Sequence, residues 1–379
     1  MRLLSFVIAG LALTDGVLGG SRLWEAKAPN RRAGVVPAYN PHDAPETLNA
    51  TVPLARRAMS IKNSPGAVGA RRIWPNKKMK YCFDDRDDTI VELFELAKAT
   101  WQALTEHGFS YEEVSGSACT GNNRKEVLMV HFNNNGRLAS TMGIPPNDPR
   151  AEGPTMHLSN RAGIGQNDIK ANVGHELGHA WGLHHEHQNR DWWKTSTEHT
   201  GDPFWGAMRS NDPHFQTNKF FCENLSDYAT ALAKAQAAAR ENPSTHGSDP
   251  EIMCKSMAVA SDYDFSAMEW LPVANSAHFD TDDTFDEDSL MMYPSQAGGR
   301  GNGASRLIVM KYQDDTIIPP RLVPSDMDIQ RLLTLYGSEN SSPPGEPHGS
   351  KVSGVKGAWR KIRTKFHRAG DTGDMPACK

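Results

Sequence analysis

Several features that mark common protein classes are missing from this sequence. Its five cysteines form no C-x-x-C pair, which argues against a structural zinc knuckle. The formal net charge of −4 is small for 379 residues, so charge gives no argument for binding nucleic acid or an anionic membrane. After residue 20, no stretch is long and apolar enough to span a bilayer. We therefore expect no nucleic-acid partner and no transmembrane anchor.

Residues 1–20, MRLLSFVIAGLALTDGVLGG, have the pattern of a secretory signal peptide. Arg2 supplies a short positive region, and a mostly apolar run of eleven residues extends from Leu3 to Leu13. This run is too short to span a bilayer. A buried N-terminal helix or strand is the alternative interpretation. We predict that residues 1–20 are removed and that the protein is secreted to the extracellular space.

Secretion would place the cysteines in an oxidising compartment, where two disulfides and one unpaired thiol are expected. The sequence does not determine how they pair. Proximity favours Cys82 with Cys119 and Cys222 with Cys254, which leaves Cys378 unpaired. Three glycosylation sequons are consistent with the same route, and they begin at Asn49, Asn224 and Asn340.

Both ends of the remaining chain differ in composition from its middle. Residues 21–57 are rich in Pro, Ala, Arg and Asn and show no sustained period, so we interpret them as a pro-segment or linker. Residues 338–379 begin as a linker and end in a basic tail. We expect this tail to be disordered, although a helix that docks on an acidic or membrane surface is the alternative.

Hydrophobic periodicity between these ends predicts the order strand, helix, strand, strand, helix, followed by a mostly irregular region from 191 to about 288. In the last helix, Ser325 is the expected N-cap and Gly337 the stop. The mixture of elements predicts the α+β fold class. The predicted strands are 79–83, 126–132 and 154–159, the predicted helices are 89–104, 168–181, 228–241 and 325–337, and the buried stripe of the last helix is Ile329, Leu332, Leu333 and Tyr336.

Residues 173–191, VGHELGHAWGLHHEHQNRD, contain five histidines and two glutamates. His175 and His179 are four residues apart, so a helix places both imidazoles on one face, within reach of one metal ion. Glu176 is turned by about 100° from His175 on that helix. It can therefore flank a metal ion without binding it.

Gly182 predicts the end of this helix, because glycine tolerates the left-handed conformation of a helix C-terminus. The chain can then turn back and deliver His185 as a third ligand, in the spacing H-E-x-x-H-x-x-G-x-x-H. Three neutral histidines leave one tetrahedral position open, which is typical of catalytic zinc. A solvated helix with incidental histidines is the alternative. His184 and His187 match no ligand position, and we expect them at the surface or behind the ligands.

The stretch HELGHAWGLHHE, residues 175–186, resembles the metzincin consensus of zinc proteases. The glutamate directly after the third histidine, Glu186, is typical of the astacin branch. Asp191 stands where astacins carry an aspartate, whereas Asn189 replaces their usual arginine. The resemblance implies a metzincin-type zincin fold of two lobes. A mixed twisted sheet and the active-site helix would form the N-terminal lobe, and the C-terminal lobe would be irregular.

Metzincins also carry a methionine turn beneath the metal. Residues 289–293, Ser-Leu-Met-Met-Tyr, resemble the astacin pattern S-x-M-x-Y. The resemblance implies that Met291 forms the floor under the imidazoles and that Tyr293 approaches the metal and the reacting carbonyl. Met268 in FSAMEW is a second candidate, but no tyrosine follows it. The resemblance covers about residues 58–337, the expected catalytic domain. It departs in the long stretch before the methionine turn and in the cysteine positions.

The resemblance also bears on processing. In astacins the arginine-rich stretch before the tryptophan belongs to the mature chain, so we favour cleavage near Arg57 over cleavage near Arg72. Glu186 would then contact the buried new N-terminus, as it does in the family.

Together these features predict a secreted zinc metalloendopeptidase that acts as a monomer on a protein or peptide substrate. His175, His179 and His185 would hold one catalytic Zn²⁺. Glu176 would be the general base, and Tyr293 would share the oxyanion with the metal.

An extended peptide substrate is expected to pair with an edge strand, for which 154–159 is the candidate. Two other functions remain open. The protein could be a secreted binding module that kept the fold and lost turnover, against which the intact Glu176 argues. It could also be a zinc hydrolase that acts on an ester or amide other than a peptide.

Overall fold

The computed structural model describes residues 59–62, 72–145, 153–206, 208–273, 279–280 and 284–337. The predicted signal peptide, the pro-segment at 21–57, the sequons at Asn49 and Asn340, Cys378 and the tail at 338–379 lie outside the described residues. Among the helices that the structure describes, none combines the length and the apolar character needed to cross a bilayer.

Strands and helices alternate in the first half of the described chain, and short helices dominate the second half. The strands are β1 (Ser60–Ile61), β2 (Lys78–Phe83), β3 (Ser110–Glu113), β4 (Leu128–Phe132), β5 (Ala139–Ser140), β6 (Thr155–Leu158), β7 (Trp193–Lys194), β8 (Phe215–Gln216) and β9 (Phe279–Asp280). The α-helices are α1 (Asp88–Thr100), α2 (Ile169–Trp181), α3 (Tyr228–Glu241), α4 (Pro243–His246), α5 (Asp249–Ile252), α6 (Met257–Asp262) and α7 (Asp326–Gly337). The 3-10 turns used below are Gln102–His107, Gly116–Cys119, Glu186–Gln188 and Ser266–Glu269.

A five-stranded sheet has the spatial order β3-β2-β4-β6-β5. The neighbours run parallel except for β5, which is antiparallel to β6. The remaining described strands form two-residue pairs, β1 with β9 and β7 with β8. Helices α1 and α2 pack against each other and against this sheet. The predicted α+β class with a mixed sheet is therefore confirmed.

The predicted edge strand at 154–159 is wrong in its position within the sheet. Strand β6 covers this stretch, and it lies between β4 and β5. The edge is β5, whose two residues are too few to give a period-2 signal in the sequence. Beyond β5 the contact continues, because the backbone N–H of Thr141 donates to the carbonyl of Thr155 at 2.8 Å.

Helix α1 begins at an aspartate cap and ends earlier than its apolar stripe predicts. The Asp87 carboxylate accepts a hydrogen bond from the N–H of Ile90 at 2.9 Å. The α-helix stops at Thr100, and the 3-10 turn Gln102–His107 carries the chain onward. Trp101, between the two, donates its indole N–H to the carbonyl of Gly174 at 2.7 Å. The Trp101 side chain thus links the end of α1 to the middle of α2.

Helix α2 is capped at both ends, and its C-terminal cap is the glycine that the sequence indicates. The Asp168 carboxylate accepts from the N–H of Ala171 at 2.8 Å. At the other end, Gly182 adopts a φ of 112°, in the left-handed region, and its N–H donates to the carbonyls of Gly178 and His179. The helix therefore stops where the third histidine has to be turned back.

Two glycines inside α2 allow other elements to approach the helix closely. A Cβ atom on Gly174 would lie 2.5 Å from Cγ2 of Thr100, at the end of α1. A Cβ atom on Gly178 would lie 2.6 Å from Sδ of Met291 and 2.8 Å from Cζ2 of Trp101. Any larger residue would push α1 or the methionine away from α2.

The described residues between 186 and 324 form a region with little regular sheet, built around a largely aromatic core. One disulfide, Cys222–Cys254, joins the chain before α3 to the chain after α5, with a Cα–Cα distance of 5.7 Å. The buried side chains of this core include Trp193, Trp205, Phe215, Phe265, Trp270 and Val309.

The cysteine prediction is half confirmed. Cys222–Cys254 is bonded, but Cys82 and Cys119 are free thiols, so the predicted second bridge is wrong in this structure. Burial, together with the neighbouring Cys119 thiol, raises the pKa of the Cys82 thiol to about 12. The Cys119 sulfur also lies 3.5 Å from the carbonyl oxygen of Val114. A short loop lowers the entropic cost of a bridge, but bonding also requires the sulfur geometry that tertiary structure sets.

Helix α7 begins as predicted, with the Ser325 hydroxyl accepting from the N–H of Asp328 at 2.9 Å. Its buried face differs by one position from the predicted stripe. Leu333 is only partly buried, whereas Leu335 is buried beside Tyr336. The helix therefore contacts the rest of the fold over a wider face than a single apolar stripe indicates.

Candidate metal centre

Three imidazoles converge at the C-terminal end of α2. His179 Nε2 lies 3.1 Å from His175 Nε2 and 3.0 Å from His185 Nε2. All three rings are fully buried, and they form a group whose ligand atoms lie within 4.8 Å of one another. The structure thus brings together the three histidines predicted as ligands.

The turn that delivers His185 is held by an N-terminal segment that is distant in sequence. The N–H of Ile61 donates to the carbonyl of Gly182 at 2.8 Å, and the N–H of His184 donates to the carbonyl of Met59 at 3.0 Å. Strand β1 therefore lies against the backbone between the second and the third histidine. Its residues are buried, so this contact is part of the fold's interior.

Each of the three rings has a hydrogen-bond acceptor on its Nδ1 side. His175 Nδ1 lies 2.9 Å from the carbonyl of Leu290, and His179 Nδ1 lies 2.9 Å from the carbonyl of Leu183. His185 Nδ1 lies 2.9 Å from Oε1 of Gln188. These oxygens can only accept, so each Nδ1 carries the proton and each Nε2 keeps a lone pair directed at the common point.

The protonation states also fit a metal centre. Burial lowers the pKa of His175 to about 4 and holds the pKa of His185 well below its usual value. Both rings are therefore neutral near pH 7, which is the form that binds metal ions. Three neutral imidazoles that share one point are a donor set suited to zinc, with room for a fourth ligand.

Glu176 lies on α2 next to the first of these histidines. Its side chain is fully buried, and neither carboxylate oxygen has a hydrogen-bond partner among the described residues. Burial raises the pKa of Glu176 well above its usual value, the nearby Glu269 raises it further, and Arg137 opposes the shift. A buried carboxylate without a protein partner is costly, and a water molecule at the metal centre would satisfy it.

The methionine turn at 289–293 borders the histidines. The carbonyl of Leu290 is the acceptor for His175, and Met291 packs against Gly178 of α2. The Tyr293 ring is buried, with its centroid 4.2 Å from that of His185. The turn therefore contributes one ring partner, one packing residue and one aromatic neighbour to the site.

Residues from two other elements hold this turn, and the sequence pattern did not reveal them. Asp328 of α7 is buried and accepts from the Ser289 hydroxyl at 2.7 Å and from the N–H of Leu290 at 2.8 Å. Gln166, just before α2, donates to the carbonyls of Leu290 and Met292 at 3.3 and 2.8 Å. In the sequence, Asp328 stands three residues after Ser325, where helix capping alone would explain a carboxylate. Its contact with the turn at 289–293 was therefore not predictable from that position.

Met268, the alternative for the methionine turn, occupies a different position. It is buried in the 3-10 turn Ser266–Glu269, and its carbonyl accepts from Nε2 of Gln188 at 3.0 Å. The turn at 289–293, by contrast, supplies a direct partner to the His175 ring. Neighbouring Glu269 has a carboxylate oxygen 3.8 Å from Nδ1 of His185.

His184 and His187 were predicted at the surface or behind the ligands, and both are buried. His187 is fully buried, and its ring stacks on that of His185 at 5.3 Å between centroids. Burial lowers the pKa of His187 to about 3. His184 accepts through Nδ1 from the N–H of His185 at 2.9 Å. Both lie behind His185, which is the second of the two predicted placements.

Glu186 is also buried and faces the N-terminal segment. Its two carboxylate oxygens accept from the N–H of Met59 at 3.3 Å and from the N–H of Asp286 at 3.2 Å. Burial, followed by repulsion from Asp286, raises the pKa of Glu186 to about 8. The Asn189 side chain accepts from the N–H of Asp191 at 3.0 Å.

The chain matches no protein-family profile and no curated protein sequence. Among solved structures it is similar to myroilysin, with 13% identity over 70% of this chain and 95% of that chain at a TM-score of 0.36. It is similar to high choriolytic enzyme 1, a hatching enzyme zinc-protease from medaka fish (Oryzias latipes), with 15% identity over 73% of this chain and 98% of that chain at a TM-score of 0.38. A second myroilysin structure matches with 13% identity, 73% and 98% coverage and a TM-score of 0.33. A function for this chain therefore has to be argued from the geometry of its own site.

Proposed function

We propose that this protein is a zinc metalloendopeptidase. The observation that carries the proposal is the convergence of three histidine Nε2 atoms, each on a ring whose Nδ1 already has an acceptor. Beside them lies the buried carboxylate of Glu176, which has no hydrogen-bond partner among the described residues. His175, His179 and His185 would hold the ion. Bound there, zinc would polarise the scissile carbonyl and activate a water molecule.

Glu176 would act as the general base and then as the general acid. Its carboxylate accepts the proton of the attacking water and passes that proton to the leaving amine. Burial, the largest cause, raises the pKa of Glu176 well above its usual value, and a carboxylate with a raised pKa takes up a proton more readily. The missing protein partner is consistent with this role, because a carboxylate already bonded to the protein would hold its lone pairs elsewhere.

Tyr293 would stabilise the developing oxyanion. The role is supported by the position of its ring, whose centroid lies 4.2 Å from that of His185 and 5.7 Å from that of His175. Met291 would support the site from below through its contact with Gly178. Gly182 would serve by ending α2 where the third ligand turns back.

Secretion and removal of a pro-segment near Arg57 complete the proposal. Two contacts of the segment that follows Arg57 support cleavage at that position. The N–H of Met59 donates to the Glu186 carboxylate, and the N–H of Ile61 donates to the carbonyl of Gly182. Cleavage near Arg72 would remove both contacts. Cleavage directly before Met59 would place a new ammonium group against the Glu186 carboxylate, where buried opposite charges favour each other.

The test is proteolysis by the secreted, processed protein with and without a zinc chelator. Casein cleavage should require zinc, and Glu176→Gln should lower kcat by about 10²–10⁴-fold while zinc stays bound. Zinc content by atomic emission is the control. Zinc binding without cleavage of any peptide would instead favour the binding module, and turnover restricted to small esters would favour the non-peptide hydrolase.

A further inference from the structure

The three candidate ligands differ in what holds their Nδ1 atoms. His175 and His179 use backbone carbonyls, which no substitution removes. His185 uses a side chain, Oε1 of Gln188, at 2.9 Å. The third ligand is therefore the one whose orientation depends on the identity of another residue.

The orientation of the Gln188 amide is determined by its other contacts. Its Nε2 donates to the carbonyl of Met268 at 3.0 Å and to the carbonyl of Leu271 at 3.2 Å. Both oxygens can only accept, so the NH₂ group has to face them. Oε1 must then face His185, and it can only accept the Nδ1 proton of that ring. The amide thus selects the tautomer with a free Nε2.

The carbonyls of Met268 and Leu271 belong to a segment, residues 266–273, that lies along the turn after His185. His187 Nε2 donates to the carbonyl of Glu269 at 2.8 Å, and the N–H of Val273 donates to the carbonyl of Gln188 at 2.9 Å. The Glu269 carboxylate is mostly buried and lies 3.8 Å from His185 Nδ1. In its ionised form, a carboxylate at that distance favours keeping the proton on Nδ1.

We infer that Gln188 is a positioning residue for the third metal ligand and that Glu269 supports it electrostatically. The inference rests on the proposed function, and it assigns a purpose to the long stretch between His185 and Met291. This stretch supplies the segment that fixes the Gln188 amide. Gln188 acts through His185, so its first effect is on metal affinity and ligand geometry.

The experiment measures zinc affinity of the secreted protein by competition with a chromophoric chelator. Gln188→Met keeps the length and packing of the side chain but removes the acceptor. It should weaken zinc binding by about 10–100-fold. Glu269→Gln keeps its shape and loses its charge, and it should weaken zinc binding by a smaller factor. With Co²⁺ in place of zinc, Gln188→Met should also shift the visible d–d absorption, because the third ring is no longer held.

Asp227→Asn is the matched control. Asp227 is buried and holds the other end of the same segment, accepting from the N–H and the hydroxyl of Ser266 at 2.8 and 2.7 Å. It should lower thermal stability and leave zinc affinity and the cobalt spectrum near those of the wild type. If Gln188→Met and Asp227→Asn weaken zinc binding equally, Gln188 has only a structural role and the inference is overturned.

Two further outcomes keep the test decisive. Wild-type zinc affinity in Gln188→Met would overturn the inference while leaving the proposed protease intact. A wild-type protein that binds no zinc would overturn the proposed function itself. If Gln188→Met does not fold, Gln188→Leu, which also removes the acceptor, takes its place. Unchanged zinc affinity in Glu269→Gln would contradict the electrostatic support of His185.

Discussion

The sheet region, residues 72–183, and the irregular region, residues 186–324, build the candidate site in different ways. The sheet region places His175, Glu176 and His179 on one regular helix that packs against α1 and the sheet. The irregular region places Gln188 and Tyr293 on turns held by side-chain hydrogen bonds and by its aromatic core.

The difference shows that candidate reactive groups and the residues that orient them can come from different parts of one fold. Two candidate ligands and the proposed base lie on a rigid helix, where helical period alone sets their spacing. The partners that orient the third ring come from loops, whose conformation depends on many distant contacts. We expect the irregular region to depend on covalent bracing and the sheet region on close packing.

Replacing the cysteines of each region tests that comparison, and it is expected to have the largest effect. Replacing Cys222 and Cys254 with serine should lower the free energy of unfolding by about 3–4 kcal/mol, because their bridge closes a loop with a sequence separation of 32. Replacing Cys82 and Cys119, which are free thiols in the sheet region, should have a much smaller effect. Urea denaturation of both double variants measures this. Equal losses would show that the sheet region is also bridged in solution.

Tyr293→Phe tests whether the irregular region contributes to chemistry as well as to support. We expect kcat to fall by about 100-fold, or about 2.7 kcal/mol, with a smaller change in KM, because the hydroxyl contact belongs to the transition state. Steady-state kinetics on a fluorogenic peptide measure both constants, and zinc content serves as the control. An unchanged kcat would remove Tyr293 from the mechanism and reopen the case for the turn at Met268.

Gly178→Ala tests the close packing at the boundary between the two regions. The added methyl group would lie within 3 Å of Met291 and Trp101. We expect an overpacking cost of about 1–3 kcal/mol, partly offset by the roughly 1 kcal/mol that alanine gains over glycine in a helix. Gly163→Ala is the control, since its Cβ would meet nothing within 4 Å. A rise in the melting temperature of Gly178→Ala would contradict the tight fit.

Long periodic segments could be predicted from sequence, and short or non-periodic ones could not. Helices α2, α3 and α7 lie where the hydrophobic pattern, the stop at Gly182 and the cap at Ser325 indicated. Strand β3 was missed and β5 could not be recognised, because two to four residues carry too little pattern. The placement of β6 inside the sheet depends on pairing with β5, which no local signal encodes.

The sequence by itself determined which residues could share a metal ion, because HExxH on a helix sets the spacing of His175 and His179, and a glycine stop lets the chain turn back toward them with His185. Only the tertiary structure decided what surrounds them. The acceptors on the three rings, the burial of Glu176 and the clamp of Asp328 on the methionine turn all join residues far apart in sequence. Helical period acts between near neighbours along the chain, whereas burial and hydrogen-bond partners are properties of the packed whole.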